Sequence, residues 1–156
     1  MPDYSEATVD PTFPVLCVYA DAQGGSHLID LALPGMSRKV RPDGTSEFGG
    51  VMPATVFGVV TPMHNGPKFI DWHISKMAGL SVVMSGSWEI EVGSGERRLL
   101  SAGSALLMLD TTGQGHRAHY RETGCGIGIS FAPETESAYR AILVEALATR
   151  VDGPGA

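Results

Sequence analysis

A chain of 156 residues, 43% apolar and 18% charged, has one domain's length and the composition of a globular protein, not of a disordered or fibrous one. A net charge of −6, with 11 Lys and Arg in no long run, disfavours a phosphate backbone as ligand, so no nucleic-acid partner is expected. No apolar run approaches the roughly 18 residues of a membrane span, and the acidic, polar start Met1–Glu6 lacks the basic and apolar regions of a signal peptide, so no membrane partner is expected and the cytoplasm is the expected location.

Residues 1–14 carry Pro2, Pro11 and Pro14 without periodicity and read as an extended arm, a contributor to a subunit contact. Val15–Ala20 is a first strand and Asp21–Gly25 a turn. Ser26–Leu33 alternates, which puts His27 on one face with Ile29, Leu31 and Leu33 and makes it a candidate pocket residue. Pro34–Gly50 reads as a loop, of a length that can form a lid over a barrel mouth. Val51–Thr61 is another strand, and His64 follows among turn formers.

Phe69–Ser75 alternates as well. Strict alternation directs Phe69, Asp71, His73 and Ser75 inward and leaves Ile70, Trp72 and Ile74 as an apolar outer face. Asp71 and His73 can then pair, the carboxylate raising the basicity of the imidazole. Two apolar runs follow, Leu80–Met84 and Ala105–Leu109. Ser85-Gly86, Ser94-Gly95 and Ala102-Gly103 interrupt the chain around them. Short runs between glycine turns are the pattern of a strand meander in a sandwich or barrel, and no helical period fits them. Glu89 and Glu91 alternate with Trp88, Ile90 and Val92 and read as outward-facing.

Asp110-Thr111-Thr112-Gly113-Gln114-Gly115-His116 stands apart, because its glycines let the backbone fold tightly and present His116 to the interior. His119 has the opposite parity. Gly124–Phe131 is the last strand. After Pro133 the period becomes helical, with Tyr139, Ile142, Leu143, Ala146 and Leu147 on one stripe. The division expected is an arm over 1–14, a β-barrel over 15–132, a helix over 133–150 and a disordered tail over 151–156. Cys17 and Cys125 are not expected to form a disulfide.

At His73, Gly86, Gly103 and His116 the chain resembles the cupin superfamily. His73 matches the first histidine of that family's first motif and Gly86 its final glycine, while Ser75 stands in the second histidine's place and the glutamate position falls at or near Gly79. Ala102-Gly103 through His116 matches the second motif, with Ala102 in place of proline. Asp71-Trp72-His73, Ser85-Gly86-x-x-Glu89-x-Glu91, Gly95-Glu96-x-Arg98 and the 110–116 segment resemble a subgroup of small monocupins, over roughly residues 18–131. The resemblance implies an all-β fold: an antiparallel β-sandwich rolled into a barrel of jelly-roll type, with one C-terminal α-helix. It leaves function open among oxidoreductases, isomerases, lyases, cyclases and binders.

A working cupin metal site takes three histidines and a carboxylate, and only His73 and His116 stand in matching places. No cofactor is therefore favoured, with a weakly held Fe, Mn, Ni or Zn on His73 and His116 as the alternative. The expected catalytic set is His73, His116, Asp71 and His27, since histidine exchanges protons near neutral pH. Phe69, Ser75, Met84, Trp88 and Met108 are the expected wall for an apolar small-molecule substrate. Proton-transfer chemistry of cyclase, isomerase or dehydratase type is the leading reading, as in natural-product pathways. A metal-dependent dioxygenase and a non-catalytic binding module are the alternatives, and a homodimer is expected in each case.

Overall fold

The computed structural model describes residues 13–33, 37–40, 42–44, 46–49, 54–58 and 67–151. In chain order these form β1 (Phe13–Ala20), β2 (Ser26–Leu33), β3 (Ser37–Val40), β4 (Ser46–Gly49), β5 (Ala54–Gly58), β6 (Lys68–His73), β7 (Gly79–Ser85), β8 (Ser87–Val92), β9 (Arg97–Ser101), β10 (Ala105–Leu109), β11 (His116–Tyr120), β12 (Cys125–Phe131) and the helix α1 (Pro133–Val151). A six-stranded sheet runs β2-β1-β10-β7-β12-β5, a four-stranded sheet runs β6-β11-β8-β9, and β3 pairs with β4. All pairs are antiparallel except β1 with β10. The fold is therefore an all-β sandwich with one C-terminal helix, as the strand pattern predicts.

Two kinds of apolar pattern mark two kinds of sheet. β8 alternates between buried and half-buried positions because its sheet has one inner face and one outer face. The six-stranded sheet is covered on both faces, so β1 and β10 read as nearly continuous apolar runs. Val15, Cys17, Ile29, Leu31, Leu107 and Phe131 pack with Leu143 of the helix, while Leu16, Val18, Leu28 and Leu106 meet Trp88, Ile90, Val92 and Ala118 of the four-stranded sheet. A fully buried leucine such as Leu106 or Leu107 contributes roughly 1.5–3 kcal/mol through area removed from water.

The predicted helical stripe is the one that packs. Leu143 is buried, and Tyr139, Ile142, Ala146 and Leu147 lie against the same core. Pro133 opens the helix, where no backbone N–H is required, and Glu134 and Glu136 in the first turn suit the dipole.

Two expectations change. Pro34–Gly50 is not a plain loop, because β3 and β4 pair across it around Pro42-Asp43-Gly44, and Asp-Gly is a strong hairpin signal. Strict alternation along β6 also fails. His73 pairs with His116, but Ile70 pairs with Ala118, so Asp71 and Trp72 together oppose Arg117. This β-bulge shifts the parity by one residue, turning Ile70 and His73 inward together and Phe69 outward. The predicted arm (1–14, save its last two residues), His64 and the tail beyond Val151 lie outside the described residues.

Candidate functional site

The segment joining β10 to β11 is held by backbone contacts that only glycine permits. Gly113 and Gly115 have φ of +78° and +72°. A Cβ on Gly115 would run into the carbonyl of His73, and one on Gly113 would meet the carbonyl of Gly24 at 2.5 Å. Gln114 N–H donates to that Gly24 carbonyl at 2.9 Å, tying the segment to the turn before β2. His116 is thereby pressed against the last residue of β6.

A polar cluster follows from this packing. Asp110 continues the inward parity of Leu106 and Met108 and is fully buried. Its Oδ2 lies 2.6 Å from His116 Nδ1, and its Oδ1 accepts from Ser75 Oγ at 2.7 Å. Ser75 N–H donates to the Asp110 carbonyl at 3.1 Å, closing the cluster from the β6 side. An ionised carboxylate can only accept, so His116 Nδ1 carries the hydrogen. A buried carboxylate without partners would be costly, and these two donors satisfy it.

His73 completes the group. Its ring centroid lies 4.4 Å from that of His116, at an interplanar angle of 59°. Its Nδ1–H donates to the carbonyl of Asp71 at 2.8 Å. Each imidazole is thus fixed through Nδ1, which leaves Nε2 as the nitrogen that can take a proton or meet a ligand. In chemical terms this is a buried acid–imidazole pair beside a second, more accessible imidazole.

The other end of β11 is built differently. Tyr120, four residues on and roughly 13 Å away along the strand, stacks on Trp88 with ring centroids 5.7 Å apart and planes 23° from parallel. Opposite them, β12 presents Gly126 and Gly128, which pair with Val83 and Ser81 of β7. Small residues facing two aromatics leave a cavity of about 220 Å³ between the sheets, with Ser85, Met108, Glu122 and Cys125 also on its wall. Burial pushes the Tyr120 hydroxyl above its ordinary pKa. Met108 joins the two ends, since it lines the cavity and shares the inward face of β10 with Asp110, two residues or roughly 7 Å away.

The predicted site residues divide accordingly. His73, His116 and Ser75 come together, and Trp88 and Met108 line the cavity. His27 shares a face with Ile29 and Leu31 as expected, but that face lies on the helix side of the sheet. There its Nε2–H donates to Asp21 at 2.7 Å, which together with the backbone N–H groups of Gly25 and Gln23 holds the Asp21 carboxyl below the usual range. Asp71 is exposed and its Oδ1 accepts from Trp72 N–H at 2.9 Å, so its carboxylate is not the partner of His73. Phe69 is 55% exposed beyond the bulge, and Met84 is 53% exposed at the β7–β8 turn. Both depart from the expected pocket wall. Asp110 is the site residue that residue-by-residue reading missed, although continuing the parity of Leu106 and Met108 would have found it.

His119 lies on the outer face against Phe69, as its parity predicts. Glu89 and Glu91 share that face but are largely covered by arginines. Arg117 donates to Glu91 at 2.6 Å and Arg121 to Glu89 at 2.7 Å, and the Arg117 bond holds the Glu91 carboxyl below its ordinary range. The Arg117 guanidinium also sits 5.1 Å from the Trp72 ring centroid.

Among the described residues no group of three or more His, Cys, Asp or Glu side chains is arranged to hold a metal ion. No described helix is long and apolar enough to cross a membrane. No protein-family model matches the chain, and no curated protein does.

Proposed function

We propose that this chain is a cupin-like enzyme that moves protons on a small apolar molecule, in a reaction of isomerase, dehydratase or cyclase type, with no obligatory metal. The observation that carries this reading is the buried Asp110–His116 pair beside His73, with both rings engaged through Nδ1 so that Nε2 is the nitrogen that exchanges a proton. His116 Nε2 accepts a proton from the substrate, and Asp110 stabilises the imidazolium that forms. Protonated His73 returns a proton at a second substrate atom, and exchange with water resets both rings.

The test is deuterium wash-in. Enolisable ketones incubated with the protein in heavy water are followed by proton NMR, which reads proton transfer without knowledge of the full reaction. Exchange that falls in His116→Ala and in His73→Ala supports the reading. Exchange at the same rate in both variants sinks it.

A second reading has its own support. A histidine whose Nδ1 donates to a carboxylate is a common arrangement behind a metal ligand, so His73 and His116 could share Fe, Mn, Ni or Zn through Nε2. Stoichiometric metal in protein purified without chelator, lost in the His73→Ala variant, would select the metal-dependent dioxygenase reading instead. A cytoplasmic homodimer completes the proposal. Exposed Trp72, Ile74 and Phe69 give an apolar outer patch, without Ile70, which the bulge turns inward. A monomeric mass by light scattering would remove the dimer.

A further inference from the structure

We infer that the cavity at the Tyr120 end of β11 binds a neutral, planar aromatic molecule of one or two fused rings that carries a hydrogen-bond donor. The inference rests on the reading of the sandwich interior as a small-molecule site, and not on the chemistry assigned to His116.

Size comes first. An apolar cavity of about 150 Å³ holds one benzene ring, so 220 Å³ admits one ring or a compact fused pair. Shape follows from the walls. The stacked Trp88–Tyr120 pair lies on one sheet and the glycine-lined strand β12 on the other, giving a slot between a π-surface and a nearly flat backbone. Aromatic rings pack on such a pair by offset stacking or edge-on, which an aliphatic ring of equal volume does less well.

Polarity and charge come from Glu122. Glu122 is exposed at the cavity mouth, and its Oε1 accepts from Ser87 Oγ at 2.8 Å, which leaves the second oxygen to water or to a ligand hydroxyl or N–H. The same carboxylate repels an anion. The ligand class is therefore phenol-like or indole-like, not an aryl carboxylate.

The experiment uses full-length protein with ¹³C-methyl methionine, naphthol as probe, and naphthoate and cyclohexanol as comparisons. The Met108 methyl signal is assigned by its loss in Met108→Leu. Naphthol is expected to move that signal saturably, and naphthoate and cyclohexanol to bind about two- to tenfold more weakly. Ser81→Leu fills the cavity and should weaken naphthol binding at least about tenfold without lowering the melting temperature. Should Ser81→Leu fail to fold, Tyr120→Leu is the second variant, with binding expected to weaken about two- to tenfold. His27→Ala, on the helix side of the sheet, should bind naphthol as wild type does, and binding is read without turnover, which separates this site from the proton chemistry. A Met108 signal unmoved by millimolar naphthol overturns the inference. So does equal binding of cyclohexanol, equal binding by the filled variant, or loss of binding in His27→Ala.

Discussion

The described residues include two Asp–His pairs of nearly the same length. Asp21–His27 measures 2.7 Å and Asp110–His116 measures 2.6 Å. Distance does not tell them apart, but surroundings do. The first pair has side chains 33% and 37% exposed, while the second has a carboxylate at 0% and an imidazole at 6%. Water competes for every hydrogen bond of the exposed pair and screens its charge. Inside the sandwich nothing replaces Ser75 and His116 if either is lost, so Asp110 fixes its partner's orientation as well as its proton. The buried pair beside a second histidine is what supports the proposed proton chemistry, whereas the exposed pair closes a turn.

Variants at the two pairs sharpen or break this contrast. The largest difference is expected in rate. His116→Ala should lower proton-exchange activity by a factor of about 100 to 10,000, and His27→Ala should leave it unchanged. A comparable loss in His27→Ala would mean that the helix side of the sheet had been dismissed wrongly.

Stability is the next difference. Asp110→Ala strips two buried donors of their acceptor and should lower the unfolding free energy by about 1–3 kcal/mol in urea titrations, while Asp21→Ala should move the midpoint far less. Gly115→Ala, which forces a side chain toward the His73 carbonyl at positive φ, should cost at least about 1 kcal/mol. It should also lower activity, because it displaces His116.

The smallest effect is in pH dependence. The folded-state pKa of Asp21 is depressed, chiefly by His27, so its contribution to stability is present above the ordinary aspartate value and is lost as pH falls through the folded value. Urea midpoints should therefore decline more steeply below about pH 4 in the wild type than in Asp21→Asn. Identical acid limbs would remove the pair's role in stability.

The strand meander, the helical stripe and the glycine-bearing segment before His116 were legible in the residues, because each depends on local period or turn chemistry. The parity of His27 was legible too, but not which layer covered its face. That depends on β1 and β10 being buried on both sides, a property of the assembled sheet. Asp71 lies two residues from His73 in the chain, whereas the carboxylate that reaches His116 comes from just past the end of β10. The bulge in β6 escaped notice because a strand's own sequence does not record how many residues its neighbour spends on the same stretch.

That bulge acts as a half-period phase shift. Residues before Asp71 follow one inside–outside frame, those after Trp72 follow the other, and the one extra residue is absorbed within the rung opposite Arg117. Deleting Asp71 or Trp72 would put both halves in a single frame. Ile70 beside Ala118 and His73 against His116 would then alternate regularly with one residue opposite Arg117, whereas a strand of the present length without the bulge could keep only one of the two contacts. The bulge thus reconciles the core and the site despite one surplus residue, and the way this rung folds is as much a part of the site as any side chain.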